Sequence, residues 1–307
     1  MGYIEIPKLD IEERILDGVI DLHCHAGPCI FEKLFDEIEI AQQMQRAGYH
    51  GVLFKQHLLG ANRIAFVRKA VPNLEIYGGI TLNQFVGGLN PFAVESAIAF
   101  GAKEVKMPNM HSAYHIEVMG APTYTTIARE TYKIKDVKGL SILDKEGKIL
   151  PEVYEILDLI ADADIMLSTG HLSPRESLVL IEAGRSAGVK KIVVTHANWG
   201  GDGLFPPLFP PNGIPIEMQI KMADAGALIE QCYVTGSVTL KQQEITADNI
   251  RKIGASRCIM STDAGTGRRI HPVEAFRLFI RAMEMQGLSR KEIDTMTNDN
   301  PAKFLGI

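Results

Sequence analysis

His23 and His25 stand on either side of Cys24 at the end of an apolar run, GVIDLHCH. In an extended strand successive side chains point to opposite faces, so the two imidazoles share a face and Cys24 points away. Two neutral imidazoles so placed make a two-point grip on a borderline cation such as zinc. Three further apolar runs end in a residue able to do the same work: DIMLSTGH in His171, KKIVVTH in His196 and CIMSTD in Asp263. A single strand-end histidine is more often a hydrogen-bonded core or loop residue than a ligand. Five such residues at matched positions describe a metal site.

Elements that deliver side chains to one place must have those ends in common. The chain alternates short apolar runs with helical periods. Strands are expected over residues 18–24, 50–57, 74–83, 104–108, 164–171, 190–196, 227–234 and 258–263, and helical spacing follows each, as at Val273, Phe276, Ile280 and Met283. Eight strands alternating with helices predict an α/β fold with a parallel sheet closed into a (β/α)8 TIM barrel, whose rim at the carboxyl ends of the strands carries the active site. An open doubly wound sheet is disfavoured, because no GxGxxG turn follows the first strand. The rhythm breaks once. Residues 109–150 are rich in Tyr, Thr and Lys and contain SILDKEGKIL, a hairpin pattern turning at Glu146-Gly147. They read as an insertion after strand four, so residues 1–307 form one barrel domain with insertion 109–150.

The bulk numbers narrow the class. Of 307 residues, 46% are hydrophobic and 22% charged, the balance of a soluble globular chain, and the net charge of −5 without a basic run argues against nucleic acid or an anionic membrane as partner. No apolar stretch reaches the ~20 residues that span a bilayer, and the acidic start MGYIEIPKLDIEERILDG does not read as a signal peptide. The four cysteines, three in or beside apolar runs, suit a reduced, cytoplasmic protein rather than a disulfide framework. A small-molecule substrate and a homo-oligomer are expected.

The set HxH on strand one, His on strands five and six and Asp on strand eight resembles the amidohydrolase superfamily, as does the ending NDNPAKFLGI, with its N-P-A-x-x-x-G turn and helix. The resemblance runs from Asp21 to Gly306. Within the superfamily the chain is most similar to uncharacterised amidohydrolase-related proteins with DLHxH, K-x-H on strand two (Lys55-Gln56-His57) and GGLNP after strand three (residues 87–91). The resemblance implies one or two divalent ions, zinc first, with manganese, nickel or iron as alternatives. It implies His23, His25, His171, His196 and Asp263 as ligands, and a carboxylated lysine as bridge in binuclear members. Lys106 on strand four is placed for that role; Lys55, which shares a face with His57, belongs to the closer pattern and is slightly preferred. Either lysine must lose a proton from a group with an ordinary pKa of ~10.4 before it can react with carbon dioxide.

The chemistry expected is hydrolysis of an amide, cyclic amide, lactone or other ester by metal-activated water. Asp263 would shuttle the proton, and His196 or His57 would stabilise the oxyanion. Alternatives are a mononuclear metal-dependent decarboxylase, a phosphoesterase and an inactive metal-binding scaffold. Glu230, in the apolar run ALIEQCYV, would orient substrate or pair with a cation, since a lone buried carboxylate is costly. His111 and His115 lie in the insertion as loop residues, with His115 a candidate substrate contact. Arg268 and Arg269 could hold an anionic group. Trp199 and residues 200–213 would form a lid over the rim.

Overall fold

Each apolar run becomes a strand, and each strand pairs in parallel with the next. In the computed structural model, which describes residues 15–122, 137–201, 206–267 and 270–307, these are β1 (Ile20–Cys24), β2 (Gly51–Phe54), β3 (Glu75–Thr81), β4 (Glu104–Lys106), β5 (Met166–Ser168), β6 (Lys191–Val194), β7 (Leu228–Cys232) and β8 (Cys258–Ser261). They form one eight-stranded sheet in sequence order. The sheet closes on itself at the site end: Cys24 bridges Ala264, His25 N donates to Ala264 O (2.8 Å) and Asp263 N donates to His23 O (2.8 Å). A Cβ on Gly265 would stand 1.8 Å from His25 O, and the residue has φ +98°, so this seam needs glycine. The fold is a (β/α)8 barrel.

The helices are α1 (Glu37–Arg46), α2 (Ile64–Ala70), α3 (Pro91–Ala99), α4 (Ala113–Met119), α5 (Pro151–Asp162) and α6 (Pro174–Ser186). They continue as α7 (Ile216–Asp224), α8 (Tyr233–Gly236), α9 (Leu240–Ile253), α10 (Pro272–Met285), α11 (Arg290–Asp294) and α12 (Asn300–Leu305). The long ones are amphipathic as their spacing predicts. In α5, Val153, Ile156, Leu157 and Ile160 are buried, and in α10, Val273, Phe276, Ile280 and Met283.

Inside the barrel, Ile20, Leu22, Leu53, Tyr77, Met166, Val193 and Ile259 come from six strands to pack on one another and on Leu305 of α12. One step of two residues along these strands takes the inward face from apolar to polar: Leu53 to Lys55, Met166 to Ser168, Ile259 to Ser261. The apolar layer thus floors a polar one. On β1 the alternation fails once. Leu22 packs in the floor, yet its neighbour His23 reaches the cavity above it, and the pairing register of β1 with β2 shifts between Asp21 and Cys24. Such an irregularity re-aims a side chain. The buried Asp21 carboxylate holds it in place, accepting from His23 N (2.9 Å), Thr262 Oγ1 (2.6 Å) and Thr262 N (3.2 Å).

All the expected strands but the first overrun the observed ones at their carboxyl ends. His196 and Asp263 have φ +53°, a left-handed conformation that ends the ladder and turns each side chain out of the sheet's alternation. The segment after β4 contains α4, which sequence spacing does not reveal, and its hairpin is reduced to one antiparallel bridge, Leu143 to Ile149, closed by Asp144 N to Lys148 O (2.8 Å). Residues 123–136 of that segment, residues 202–205 of the expected lid, and Arg268 and Arg269 lie outside the described residues.

Candidate metal centre

The rim residues meet around a cavity of about 270 Å³ at the carboxyl ends of the strands. His23, His25, His57, Lys106, His115, His171, His196 and Asp263 all line it, and Lys55 and Glu230 stand against the far nitrogens of His25 and His23. Every one of them is buried.

Hydrogen bonds decide which nitrogen each histidine turns to the cavity. His23 Nδ1 faces the Glu230 carboxylate (3.1 and 3.2 Å) and His25 Nδ1 faces the Lys55 carbonyl (2.9 Å). Both partners only accept, so both Nδ1 atoms carry the proton and both Nε2 atoms are bare lone pairs. Those lone pairs converge on one oxygen: Asp263 Oδ1 lies 3.2 Å from His23 Nε2 and 3.1 Å from His25 Nε2. Three acceptors that close repel unless a cation or proton stands between them. The edge of a tetrahedral zinc site with bonds of about 2.0–2.1 Å is about 3.3 Å, so this triad fits such an ion.

His196 adds a fourth group. Its Nδ1 is buried without a hydrogen-bond partner and stands 3.7 Å from Asp263 Oδ2, with its ring 4.6 Å from that of His23. An orphaned buried polar atom costs free energy unless a ligand completes it. A second grouping of donors, His23, His196, Glu230 and Cys232, is poorer. Glu230 is committed to His23 and to His196 N (3.2 Å), and burial pushes the Cys232 thiol well above its ordinary range, away from the thiolate that binds metal.

Burial lowers the affinity of all the cavity histidines for protons, so they stand neutral, as ligands must. Burial raises the Asp263 carboxyl in spite of Lys106. Burial alone would raise Glu230 as well, but Lys55, His196 and Lys106 bring it below its ordinary value.

The two lysines differ. Lys55 is ion-paired with Glu104, which also accepts from Ser168; burial opposes its charge, but Glu104 and Glu230 leave it above the ordinary lysine value. Lys106 opens on the cavity with Nζ 3.4 Å from His23 Nε2, and burial together with Lys55 lowers it to about 8.

His57 sits one step further out, its ring parallel to that of His25 (5.2 Å, 9°) and its Nδ1 3.3 Å from Cys29 Sγ. His111 and His115 are not solvated loop residues: both are buried, and His115 is in the first turns of α4. His171 meets His115 through their Nδ1 atoms (2.9 Å) and the rings of His196 and Trp199 edge to face. Sequence reasoning missed Glu104, although it lies two residues from Lys106 on the same strand face. It also missed Lys33, whose Nζ donates to Thr266 Oγ1 (2.9 Å) at the cavity wall and which no periodicity marks.

The family model described as "Family of unknown function (DUF6282)" matches residues 18–230. No curated protein matches the chain. Among solved structures, an amidohydrolase from Pseudomonas aeruginosa superposes with a TM-score of 0.64 at 13% identity, covering 96% of this chain and 97% of that one. An organophosphorus hydrolase from Deinococcus radiodurans, as a triple mutant, gives 0.56 at 13% identity over 95% and 94%. A dihydroxybenzoic acid decarboxylase from Polaromonas sp. JS666, with bound manganese and an inhibitor, gives 0.56 at 12% identity over 94% and 97%. The barrel is thus the one that amidohydrolase-superfamily enzymes use.

Proposed function

The chain belongs to the family of unknown function (DUF6282), and from its cavity we propose that it is a metal-dependent hydrolase acting on an amide, cyclic amide, lactone or other ester. The observation that carries this reading is the convergence of His23 Nε2, His25 Nε2 and Asp263 Oδ1, three buried lone-pair donors within 3.2 Å of one another through the aspartate. His171 and His196 would complete a second position, and Lys106, as its carbamate, would bridge the two. Two features support Lys106 over Lys55, which the sequence pattern slightly prefers. Lys106 borders the cavity and is eased towards the neutral amine, whereas Lys55 is tied as a cation to Glu104.

When bound, such ions lower the pKa of water from 15.7 towards ~7 and polarise a carbonyl oxygen. The chain does the rest. Glu230 and the Lys55 carbonyl fix the tautomers of His23 and His25. Asp263 accepts the proton of the attacking water and passes it to the leaving group, a task suited by a carboxyl that burial raises towards neutrality.

The test is protein purified with zinc and bicarbonate, its metal counted, and its turnover measured on a panel of lactones, N-acyl amides and esters. Two equivalents per chain and hydrolysis that disappears on chelation are expected. A single equivalent with carbon dioxide released from aromatic acids would move the assignment to the decarboxylases that share this barrel. Protein that takes up no metal would overturn both.

A further inference from the structure

His115, like His57, is a cavity histidine that the proposed metal positions do not use, and it is held in place by unusual means. Ser112, the N-cap of α4, accepts from His115 N (2.9 Å) and donates its own hydroxyl proton to the carbonyl of His171 (2.6 Å). One serine therefore ties the first turn of α4 to the end of the strand-five segment. The two imidazoles then meet Nδ1 to Nδ1 at 2.9 Å, with ring centres 4.9 Å apart and planes 26° from coplanar. The centre separation exceeds the nitrogen separation by about two ring radii, so the nitrogens point head-on at each other. That is the geometry of an N–H···N hydrogen bond; two rings sharing an ion would converge on it at an angle.

A head-on pair of neutral imidazoles has one proton between its two Nδ1 atoms. Two ring nitrogens 2.9 Å apart cannot both carry a proton, so one Nδ1 is a bare acceptor and the other its donor. If His171 Nε2 is a metal ligand, its proton must be on Nδ1, and Nδ1 must donate to His115. His115 Nδ1 is then the acceptor, and its own proton must be on Nε2. Among the described residues the His115 ring makes no other hydrogen bond, and it lines the cavity. The ring's remaining polar atom is therefore a committed N–H donor in a side chain that borders the substrate space.

We propose that His115 is a substrate-binding hydrogen-bond donor whose tautomer is set by His171, and that the substrate carries an acceptor oxygen, carbonyl or carboxylate, placed to meet His115 Nε2–H. This rests on the functional reading above through one link, metal on His171 Nε2. Its consequence goes further: loading the metal site also sets the donor pattern of the cavity wall formed by α4. A substrate with a donor group at that point is rejected, because the donor would face an N–H with nothing to accept it.

The experiment is a long-range ¹H–¹⁵N spectrum of ¹⁵N-histidine-labelled full-length protein, with and without zinc, His115 being assigned by the signals lost in His115→Gln. With zinc, His171 should show a metal-bound Nε2 and a protonated Nδ1, and His115 an unprotonated Nδ1 and a protonated Nε2. Acetate added to the zinc-loaded protein, as a small oxygen acceptor, should then move the His115 Hε2 resonance. A metal-bound His171 beside a His115 protonated on Nδ1 refutes the tautomer assignment while leaving the metal reading intact. A His115 Hε2 that stays put as acetate saturates the site refutes the substrate contact. A His171 that never binds zinc removes this inference, whereas the functional reading falls only if His23 and His25 in the same spectra also stay free of zinc.

Discussion

At the scale of residues, the site is defined by what each donor is already doing. His23 and His25 spend their Nδ1 protons on Glu230 and on the Lys55 carbonyl, and so arrive at the cavity with bare Nε2 atoms. In the proposed reaction Asp263 is the acid-base group, so Asp263→Asn should lower kcat by about 10²- to 10⁴-fold while the melting temperature of the loaded protein stays near wild type. Metal must be counted in parallel, and undiminished turnover with metal in place would refute the role. Asp21 makes a separate claim. Burial raises it from 3.8 to about 6 despite its hydrogen bonds. A carboxyl raised in the folded state contributes stability that is complete below its unfolded pKa and is lost as the pH climbs through the folded one. In metal-free protein, Asp21→Asn should therefore gain on wild type between pH 4 and 7, by on the order of 3 kcal/mol at about 1.4 kcal/mol per pKa unit, whatever constant offset the lost acceptor adds. Urea melts at both pH values would show it. A wild-type-to-variant difference independent of pH would contradict it.

At the scale of elements, β2 and β4 place two lysines in one polar layer and give them different tasks. Lys106→Ala should halve the metal content and leave one ion on His23, His25 and Asp263. Lys55→Ala should keep the metal sites but strand Glu104 as a buried, unpaired charge, costing about 3–5 kcal/mol. Adding Glu104→Gln to the second variant should return much of that loss. If both single variants retain two equivalents, the bridge is not a lysine. This contrast was hidden in the sequence, where both are strand-end lysines and burial and pairing have no local signature. The strands themselves were legible, because apolar runs of four to eight residues between helical periods have few other readings. Their carboxyl ends were not: His196 and Asp263 leave the ladder in left-handed conformations that neither residue type announces. The inward turn of His23 was readable as a shared face with His25, but the register shift that achieves it depends on Asp21 reaching across to Thr262. His115 reads from the sequence as a candidate substrate contact in a loop; what stays hidden is its place in α4 and the tie of that helix to His171 through Ser112, which no period along the chain marks.

At the scale of the whole molecule, the barrel divides into an apolar floor, a layer of paired charges and a rim of donors. The floor is sealed by α12, so Leu305→Ala, which opens a gap beneath Ile20, Leu22 and Ile259, should cost about 2–4 kcal/mol and leave metal content unchanged. A loss of metal in that variant would mean that the floor and the rim are not separable. The rim carries the central claim, since everything proposed of the reaction follows from three donors sharing one ion. Anomalous diffraction at the zinc edge, from crystals grown with zinc and bicarbonate, tests this directly. A zinc peak is expected about 2.0–2.2 Å from His23 Nε2, His25 Nε2 and one oxygen of Asp263, with a second peak flanked by His171, His196 and a carboxylated Lys106. Zinc bound elsewhere on the chain, with these three donors bare, would contradict it.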